Sequence, residues 1–336
     1  MSETLLLLAD PHFTSDVKDL YRWDIFSWLK DQIKKYGIDK LIILSDLTER
    51  KDKHDAQLVN RLVNEVTNLT QYCDIVVLKG NHDYIDKDTP FFGFLHKIKG
   101  INFITYPVKV GKYLFLPHSK NPVEDWKNVS LDVDYIFMHQ CISGTRLNDS
   151  YFVKDGFDAK KFFKDFEGIG IYSGDIHVPQ EIDLGNDLYF NYVGAPYPIY
   201  FGDIYDGQVL IIKNGKTSKI PYPSFKKWSL KINNISELEE SDVKNGDWLK
   251  LEFFINKVDF YLIEEFRKAV KTYCELNNIK LCSLEFKPVR VDVNKSIRVR
   301  KNVNKEISNE EVLKRFALKE KLDNEFVMQG LEILNG

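Results

Sequence analysis

The sequence predicts an α/β fold: a two-sheet β-sandwich flanked by helices, then a small α+β domain and a C-terminal helical segment. Two observations lead to this class. The first hundred residues alternate apolar strand-like runs with amphipathic helical segments, and shorter strands punctuated by Pro and Gly follow. We place the domains at residues 1–225, 226–293 and 294–336.

The N-terminal part follows a β-α-β-α-β order, which predicts parallel strands joined by right-handed crossovers. Leu5–Ala9 is a continuous apolar run, typical of a strand buried on both faces, and Leu41–Leu44 and Ile75–Leu78 are further strands. Helical spacing of apolar residues predicts helices over 16–36 and 55–70. The strands expected in the second sheet are Lys112–Leu116, Tyr135–Met138, Gly170–Tyr172, Leu188–Val193 and Gln208–Ile212.

The character of the sequence changes again around Pro221–Trp228. The elements predicted beyond it are a strand over 248–256, a helix over 259–276, one or two strands over 280–293, a linker over 294–306 and an amphipathic helix from Ser308. Residues 287–305 are strongly basic, so they either contact DNA phosphates or form a solvated linker. The last helix either binds a partner or packs on its own domain.

Composition sets limits on the class of protein. Apolar residues make up 43% and charged residues 29%, which is ordinary for a soluble globular chain, and the net charge of -3 means that nucleic-acid binding would need a local basic patch. The cysteines form no CxxC pair, so we expect reduced thiols. With no signal peptide and no apolar run of membrane-spanning length, we expect a cytoplasmic protein without membrane contact.

Short polar clusters follow the predicted strands, where ligands of α/β sheets collect. The clusters are Asp10-Pro11-His12, Ser45-Asp46, Asn81-His82-Asp83, His139 and Asp175-Ile176-His177. Taken alone, an Asp or His at a strand end is more often a turn or capping residue. Together, carboxylate, imidazole and amide groups without thiolate suit hard or borderline divalent metals, and a carboxylate shared by two metals suits in-line displacement at phosphorus.

The order and placement of these clusters resemble the calcineurin-like metallophosphoesterases over about residues 5–215. The resemblance implies a metallophosphoesterase fold with two divalent ions, manganese or else magnesium. It implies ligand roles for Asp10, His12 and His177 at the first metal, Asp46 as the bridge, and Asn81, His139 and Asp175 at the second. His82 would protonate or stabilise the leaving oxygen, held by Asp83. The family usually has histidine where this chain has Asp175, which leaves the geometry and metal preference open.

A second resemblance is to the SbcD-type nucleases. It is carried by Gly174-Asp175-Ile176-His177-Val178-Pro179-Gln180 and by Tyr192-Val193-Gly194-Ala195-Pro196. It implies a DNA exonuclease or endonuclease of DNA repair and recombination, with a capping domain that binds DNA. It also implies a homodimer that works with an SMC-like coiled-coil ATPase (SbcC-like), and the size is similar to phage-encoded members.

Alternatives remain at this point. The chain could be a stand-alone phosphodiesterase or phosphatase acting on small nucleotides or phosphoproteins, or a non-catalytic scaffold, which the intact His82 and the nearly complete ligand set disfavour. We expect His96 to be a loop histidine that satisfies local hydrogen bonds, and the same interpretation is open for His118. His54 faces either the cleft or the surrounding loop.

Overall fold

The computed structural model describes residues 3–86, 88–130, 132–148 and 151–289. Residues up to Lys287 belong to one compact unit, and a second unit begins at Pro288. The predicted linker over 294–306 and the helix from Ser308 lie outside the described residues, so both stay predictions.

Strands and α-helices are numbered separately along the chain. The strands are β1 (Leu5–Leu8), β2 (Lys40–Ile43), β3 (Asp74–Leu78), β4 (Ile101–Ile104), β5 (Val108–Val110), β6 (Tyr113–Leu116), β7 (Tyr135–His139), β8 (Arg146–Asn148), β9 (Tyr151–Phe152), β10 (Gly170–Gly174), β11 (Gln180–Gly185), β12 (Leu188–Tyr192), β13 (Gln208–Lys213), β14 (Lys216–Pro221), β15 (Lys227–Ile232), β16 (Trp248–Ile255) and β17 (Lys280–Pro288). The α-helices are α1 (Ile25–Tyr36), α2 (Ala56–Leu69), α3 (Pro122–Asp125), α4 (Ala159–Phe162), α5 (Ile235–Glu239) and α6 (Ile263–Leu276). Within the described ranges, no helix combines the length and apolar character needed to cross a membrane.

Two six-stranded sheets contain most of these strands, in the orders β14-β13-β1-β2-β3-β4 and β11-β12-β10-β7-β6-β5. In the first sheet β1 to β4 run parallel, and β13 is antiparallel to β1. The strand predicted over Gln208–Ile212 therefore lies in the first sheet and not, as expected, in the second. In the second sheet β6, β7, β10 and β12 run parallel. The carboxyl ends of each parallel set therefore lie at one edge of its sheet, as the β-α-β pattern predicts.

The two sheets pack face to face, which confirms the predicted sandwich. Leu5 and Leu7 belong to a buried cluster with Phe137 of the second sheet. Leu6 and Leu8 point the other way and pack in the cluster that α1 and α2 cover. Because neighbouring side chains of a strand face opposite sides, a strand covered on both faces must be apolar at every position.

A third sheet, in the order β15-β16-β17, forms with α5 and α6 a small α+β region. It has an apolar core of its own, which includes Leu251, Phe253 and Val270. This separate core agrees with a small α+β region after the sandwich. The domain division at residue 225 stays a prediction.

The segment predicted as one helix over 16–36 is divided in the structure. Val17–Asp24 is a 3-10 helix, and the α-helix starts only at Ile25. The Arg22 side chain is buried and donates hydrogen bonds to the carbonyl oxygens of His12 and Ile199. These long-range contacts, which helical periodicity cannot anticipate, accompany the tighter backbone of the first part.

Candidate metal centre

The polar clusters meet at the carboxyl ends of the parallel strands. The backbone there departs from regular structure, because Asp10, His12, Ser45, Asp46 and Asp175 have φ angles of 49°, 46°, 88°, 51° and 85°. Positive φ is unfavourable for residues with a Cβ and is found where a functional site requires it. The chain thus turns sharply at the ends of β1, β2 and β10 and presents the polar side chains to the common edge.

One group of possible metal ligands consists of Asp10, Asp46 and His139, all of them buried. His139 Nδ1 lies 3.7 Å from Asp10 Oδ1, and its Nε2 lies 3.5 Å from Asp46 Oδ1. His139 Nε2 also lies 3.0 Å from Asn81 Oδ1 and 3.5 Å from Asp175 Oδ1. One imidazole nitrogen therefore faces the side-chain oxygens of Asp46, Asn81 and Asp175.

The tautomer of His139 follows from its other neighbour. Nδ1 lies 2.8 Å from the carbonyl oxygen of Leu44, which can only accept, so Nδ1 carries a hydrogen and donates it. Nε2 then bears either a second proton or a lone pair. Without a cation a proton is favoured: burial lowers the pKa of His139, but Asp46, Asp175 and Asp10 outweigh it and hold that pKa well above its ordinary value. When a cation is bound, His139 Nε2 would be unprotonated, and its lone pair would serve as a ligand.

A second group of possible ligands consists of His12, Asp46 and His82. His12 Nε2 lies 3.6 Å from Asp46 Oδ2 and 3.1 Å from His177 Nε2. Two imidazole lone pairs cannot approach each other so closely unless a proton or a cation lies between them. Burial lowers the pKa of His12 well below its ordinary value, and His177 and His82 lower it further, so His12 is held neutral as a metal ligand must be.

Asp46 is the residue that both groups have in common. Its carboxylate faces His139 through Oδ1 and His12 through Oδ2. Burial raises the pKa of Asp46 well above its ordinary value, and the nearby carboxylates of Asp83 and Asp10 add to this. Such crowding of buried acidic groups is relieved by positive charge.

These residues fit divalent cations. Asp10 is fully buried and its Oδ2 has no hydrogen-bond partner among the described residues. A buried, unpartnered carboxylate oxygen is costly unless a cation or a proton satisfies it. Carboxylates, imidazoles and one amide, with no thiolate among them, suit manganese, magnesium or other hard to borderline ions. The structure brings together all the residues for which the sequence predicts a ligand role, and the individual roles stay predictions.

Asp83 requires a correction. It was expected to hold His82, but its buried carboxylate accepts hydrogen bonds from Ser45 Oγ at 2.9 Å, Gly80 N at 2.8 Å, Asp46 N at 3.2 Å and Leu47 N at 3.3 Å. Neighbouring residues of a tight turn often point in different directions, so adjacency in sequence was a poor guide. Asp83 therefore fixes the loop that carries Asp46 and not the ring of His82.

The ring of His82 is oriented by a backbone carbonyl group instead. Its Nδ1 lies 2.7 Å from the carbonyl oxygen of Glu49, so Nδ1 donates and Nε2 is the atom left to accept or deliver a proton. Its backbone N–H donates to Asp46 Oδ1 at 3.0 Å, and its ring centroid lies 5.0 Å from that of His12. His82 is therefore adjacent to the shared carboxylate.

Two glycines permit the close approach of these loops. A Cβ on Gly80 would lie 1.9 Å from Ser45 Oγ and 2.2 Å from Asp46 Oδ1. A Cβ on Gly174 would lie 2.3 Å from the carbonyl oxygen of Leu44 and 2.8 Å from His139 Nδ1. Glycine at both positions is a steric requirement of the site.

Glu49 and Asp203 belong to the site but escaped the sequence analysis. Glu49 Oε2 lies 3.4 Å from His12 Nδ1, and Asp203 Oδ2 lies 3.8 Å from His177 Nδ1. Carboxylates in this position typically fix the ring orientation of metal-binding histidines. Closeness to Asp46 in the sequence could have suggested Glu49, whereas Asp203 lies in no recognisable motif.

The remaining histidines have local partners. His54 Nε2 lies 2.8 Å from Thr48 Oγ1, and its ring lies 4.1 Å from that of Phe91, so His54 packs in the loop. His96 contacts the carbonyl oxygen of Gly93, as expected for a loop histidine. His118 Nδ1 lies 2.9 Å from the hydroxyl of Tyr84, but its ring centroid is also 6.0 Å from that of His139, closer to the site than a simple loop residue.

Comparison with known proteins identifies a matching family. A family model described as calcineurin-like phosphoesterase matches residues 4–179. A dimetal phosphatase from Danio rerio is similar in structure with a TM-score of 0.40 and 10% identity, covering 66% of this chain and 99% of its own. The nuclease MPE from Pseudomonas putida has a TM-score of 0.33 and 12% identity, covering 64% of this chain and 87% of its own. No curated protein sequence matches the chain. Neither structural similarity bears on the substrate.

Proposed function

This chain belongs to the calcineurin-like phosphoesterase family, and from that premise we propose that it is a metal-dependent DNA nuclease that hydrolyses phosphodiester bonds with two divalent ions. The observation that carries the two-metal part is the position of Asp46. Its two carboxylate oxygens face two different groups of ligands, through His139 on one side and His12 on the other. One carboxylate between two cation sites is the arrangement that phosphoester-hydrolysing two-metal sites use.

Each residue then has a defined task. Asp10, His12 and His177 would hold one ion, Asn81, His139 and Asp175 the other, and Asp46 both. The chemistry that these ions supply when bound is neutralisation of phosphoryl charge and acidification of water. Asp83 and Gly80 keep the loop of Asp46 in place, and the burial of Asp10 and His139 excludes water that would weaken the electrostatic field.

His82 is proposed to assist the leaving oxygen. Because Nδ1 is occupied by the carbonyl oxygen of Glu49, the proton must be held and released at Nε2. The ring is half-buried beside the shared carboxylate. It does not belong to the group of possible ligands that contains His139. This position suits a group that meets the substrate as the bond to phosphorus breaks.

Support for DNA as the substrate comes from the two motifs that resemble SbcD-type nucleases, which contact each other here. The backbone N–H of Ala195 donates to the carbonyl oxygen of His177 at 2.9 Å. A Cβ on Gly194 would lie 2.5 Å from Pro179 Cγ, so glycine and proline of the two motifs are packed together. The segment that begins with the proposed ligand His177 is thus held by the second motif.

A metal-dependent cleavage assay tests the proposal. The wild-type chain and Asp46→Asn would be given manganese and offered linear duplex DNA, single-stranded DNA, bis(p-nitrophenyl) phosphate and a phosphopeptide. We expect the wild type to cleave DNA and the generic phosphodiester, and Asp46→Asn to cleave neither. Hydrolysis of the phosphopeptide or of small phosphodiesters without any DNA cleavage would overturn the nuclease proposal and favour the stand-alone phosphatase or phosphodiesterase.

We further propose that the nuclease acts with an SMC-like coiled-coil ATPase in DNA repair or recombination, through the segment after residue 305. The support is the resemblance to SbcD-type nucleases and the amphipathic spacing of that segment in the sequence. Truncation after residue 305 should keep manganese-dependent phosphodiesterase activity and abolish co-purification with the ATPase. A truncated chain that still binds the ATPase normally would contradict the proposal.

A further inference from the structure

A groove of about 660 Å³ lies beside the metal centre. Its lining includes Glu49 and Tyr200, which adjoin the proposed ligands, and Lys250 and Lys280 of the third sheet. Glu49 lies 3.4 Å from His12, so the groove opens directly next to the site of chemistry. A ligand that binds in the groove can therefore extend into the metal centre.

Tyr200 lines this groove beside the metal centre as an exposed aromatic ring in a fixed position. Its side chain is 48% exposed. Its hydroxyl donates to Glu49 Oε1 at 2.7 Å, and its backbone N–H donates to Asp203 Oδ2 at 2.8 Å. Its ring centroid lies 5.5 Å from that of His177. An aromatic ring held at both ends yet left half open to solvent is suited to contact a ligand rather than to fill a core.

The part of the groove that the third sheet lines is basic. Lys250 Nζ lies 4.4 Å from the ring centroid of Phe201, and Lys280 Nζ lies 3.5 Å from that of Trp248. Both lysines are exposed, and within the described part of the chain neither forms an ion pair with a carboxylate. Two acidic residues of the groove, by contrast, are paired with basic residues: Asp19 with Arg22 at 3.3 Å and Asp16 with Lys18 at 3.7 Å. The positive charges of Lys250 and Lys280 are therefore available to bind a polyanion in the groove.

We infer that this groove binds an unpaired strand of nucleic acid, with the base beside the scissile phosphate stacked on Tyr200 and neighbouring phosphates bound by Lys250 and Lys280. The inference deepens the proposed nuclease function and rests on it, because the strand must lead into the metal centre. A fixed aromatic ring combined with a basic groove is how proteins bind single strands without reading sequence. In an intact duplex the faces of a base are already stacked, so Tyr200 can accept only an unpaired one.

Base stacking is tested with Tyr200→Leu and Tyr200→Phe on two single-stranded oligonucleotides. One oligonucleotide is intact, and the other carries an abasic residue beside the cleaved bond. Removal of the ring should raise KM for the intact strand about 10-fold or more, since stacking on one base corresponds to roughly a 5- to 150-fold change in affinity. Tyr200→Phe should restore most of this loss, and on the abasic strand all variants should have equal KM.

The matched control is Tyr189→Leu, which removes a similarly exposed tyrosine (41%) from β12, outside the groove. Cleavage of the intact strand by Tyr200→Leu with the KM of the wild type would overturn the stacking, and so would an equal loss on the abasic strand. If the wild type hydrolyses bis(p-nitrophenyl) phosphate but no DNA at all, the nuclease function itself has failed, which is a different outcome.

The binding of phosphates by the two lysines is tested by the salt dependence of affinity. Fluorescence anisotropy of a labelled single strand in EDTA measures affinity without turnover. Lys250→Gln combined with Lys280→Gln should flatten the plot of log K against log salt by about 1.4, because each phosphate that a lysine neutralises adds about 0.7 to the slope. The control pair Lys216→Gln and Lys219→Gln on the exposed strand β14 should leave the slope unchanged. An unchanged slope in the groove variant, or equal weakening for a blunt duplex, would overturn the proposed path.

Discussion

At the scale of single residues, the two histidines beside Asp46 have similar positions but different proposed roles. His82 and His12 occur in the same group of possible ligands, so distance alone does not separate a ligand from a proton donor. The hydrogen bond of His82 Nδ1 to the carbonyl oxygen of Glu49 leaves Nε2 available for either role. Metal content and turnover of a His82 variant therefore have to distinguish a metal ligand from a proton donor.

We predict that His82→Gln keeps both metal ions and loses turnover, because the residue is assigned to the leaving oxygen. General acid assistance is typically worth about 10²- to 10⁴-fold in rate. Metal content by elemental analysis and kcat on a DNA substrate would be measured together, with the loop variant His96→Gln as the control. Loss of an ion from His82→Gln would show that His82 is a ligand.

Asp175 is the residue where this chain departs from the pattern it resembles. Its carboxylate lies 3.5 Å from His139 Nε2, and its backbone N–H donates to Asp10 Oδ1 at 3.0 Å, so it faces the site. Carboxylate in place of imidazole favours harder ions. We predict that Asp175→Asn weakens manganese binding about 10-fold or more. Asp175→His should shift preference toward zinc or cobalt, as titration calorimetry would detect. Unchanged manganese affinity in Asp175→Asn would exclude it as a ligand.

The limits of sequence reasoning are visible at this scale. Asp10, Asp46 and His139 could be selected from the sequence because they follow apolar strands, and parallel strands end at a common edge. Asp203 could not, because its contact with His177 depends on how a loop after the second sheet folds back. Asp83 was expected to hold His82, but the backbone N–H groups of the turn set the direction of its side chain.

At the scale of elements, the loops after β2 and β3 work as one unit. Gly80 leaves no room for a side chain against Ser45 and Asp46. We predict that Gly80→Ala displaces Asp46, costs about 1–3 kcal/mol of stability as overpacking does, and weakens binding of both metal ions. Thermal unfolding and metal titration would measure this.

Gly93→Ala is the matched control for that substitution. A Cβ on Gly93 would lie 3.5 Å from Pro90 Cγ, which is ordinary contact. We expect it to leave metal affinity unchanged. Equal metal affinity in Gly80→Ala and the wild type would show that the loop can yield without moving Asp46.

The buried central strands could be predicted from the sequence, whereas the exposed edge strand β5 could not. Leu5–Leu8 and Ile75–Leu78 have the apolar character that burial on both faces requires. Strand β5, Val108–Val110, is exposed along its length and forms through pairing with β6. Because this pairing depends on the partner strand, the local sequence of β5 gives little indication of it.

At the scale of the whole molecule, a buried cation connects the third sheet with the sandwich. Lys227 opens β15, and its Nζ donates to the carbonyl oxygen of Ile199 at 3.1 Å and lies 3.7 Å from Asp19. Burial and the neighbouring Arg22, against the opposing effect of Asp19, together lower the pKa of Lys227 to about 8. The folded chain therefore releases this proton at lower pH than the unfolded chain.

The sign of the resulting pH dependence is definite. Between about pH 8 and the ordinary lysine pKa of about 10.4, the unfolded state binds more protons at this site, so its contribution to stability rises with pH. We predict that the stability of the wild type relative to Lys227→Met increases from pH 8 to pH 10, as measured by chemical denaturation. A difference that stays constant over this range would show that Lys227 has an ordinary pKa in the folded state.

The most direct test of the two-metal centre is calorimetric titration of manganese into the wild type and Asp46→Ala, with thermal unfolding in EDTA to verify the fold. Asp46 faces both ligand groups through its two carboxylate oxygens. We predict two manganese ions per wild-type chain and a loss of affinity at both sites in Asp46→Ala. One site retained at full affinity, with only the other lost, would contradict the shared carboxylate on which the proposed mechanism depends.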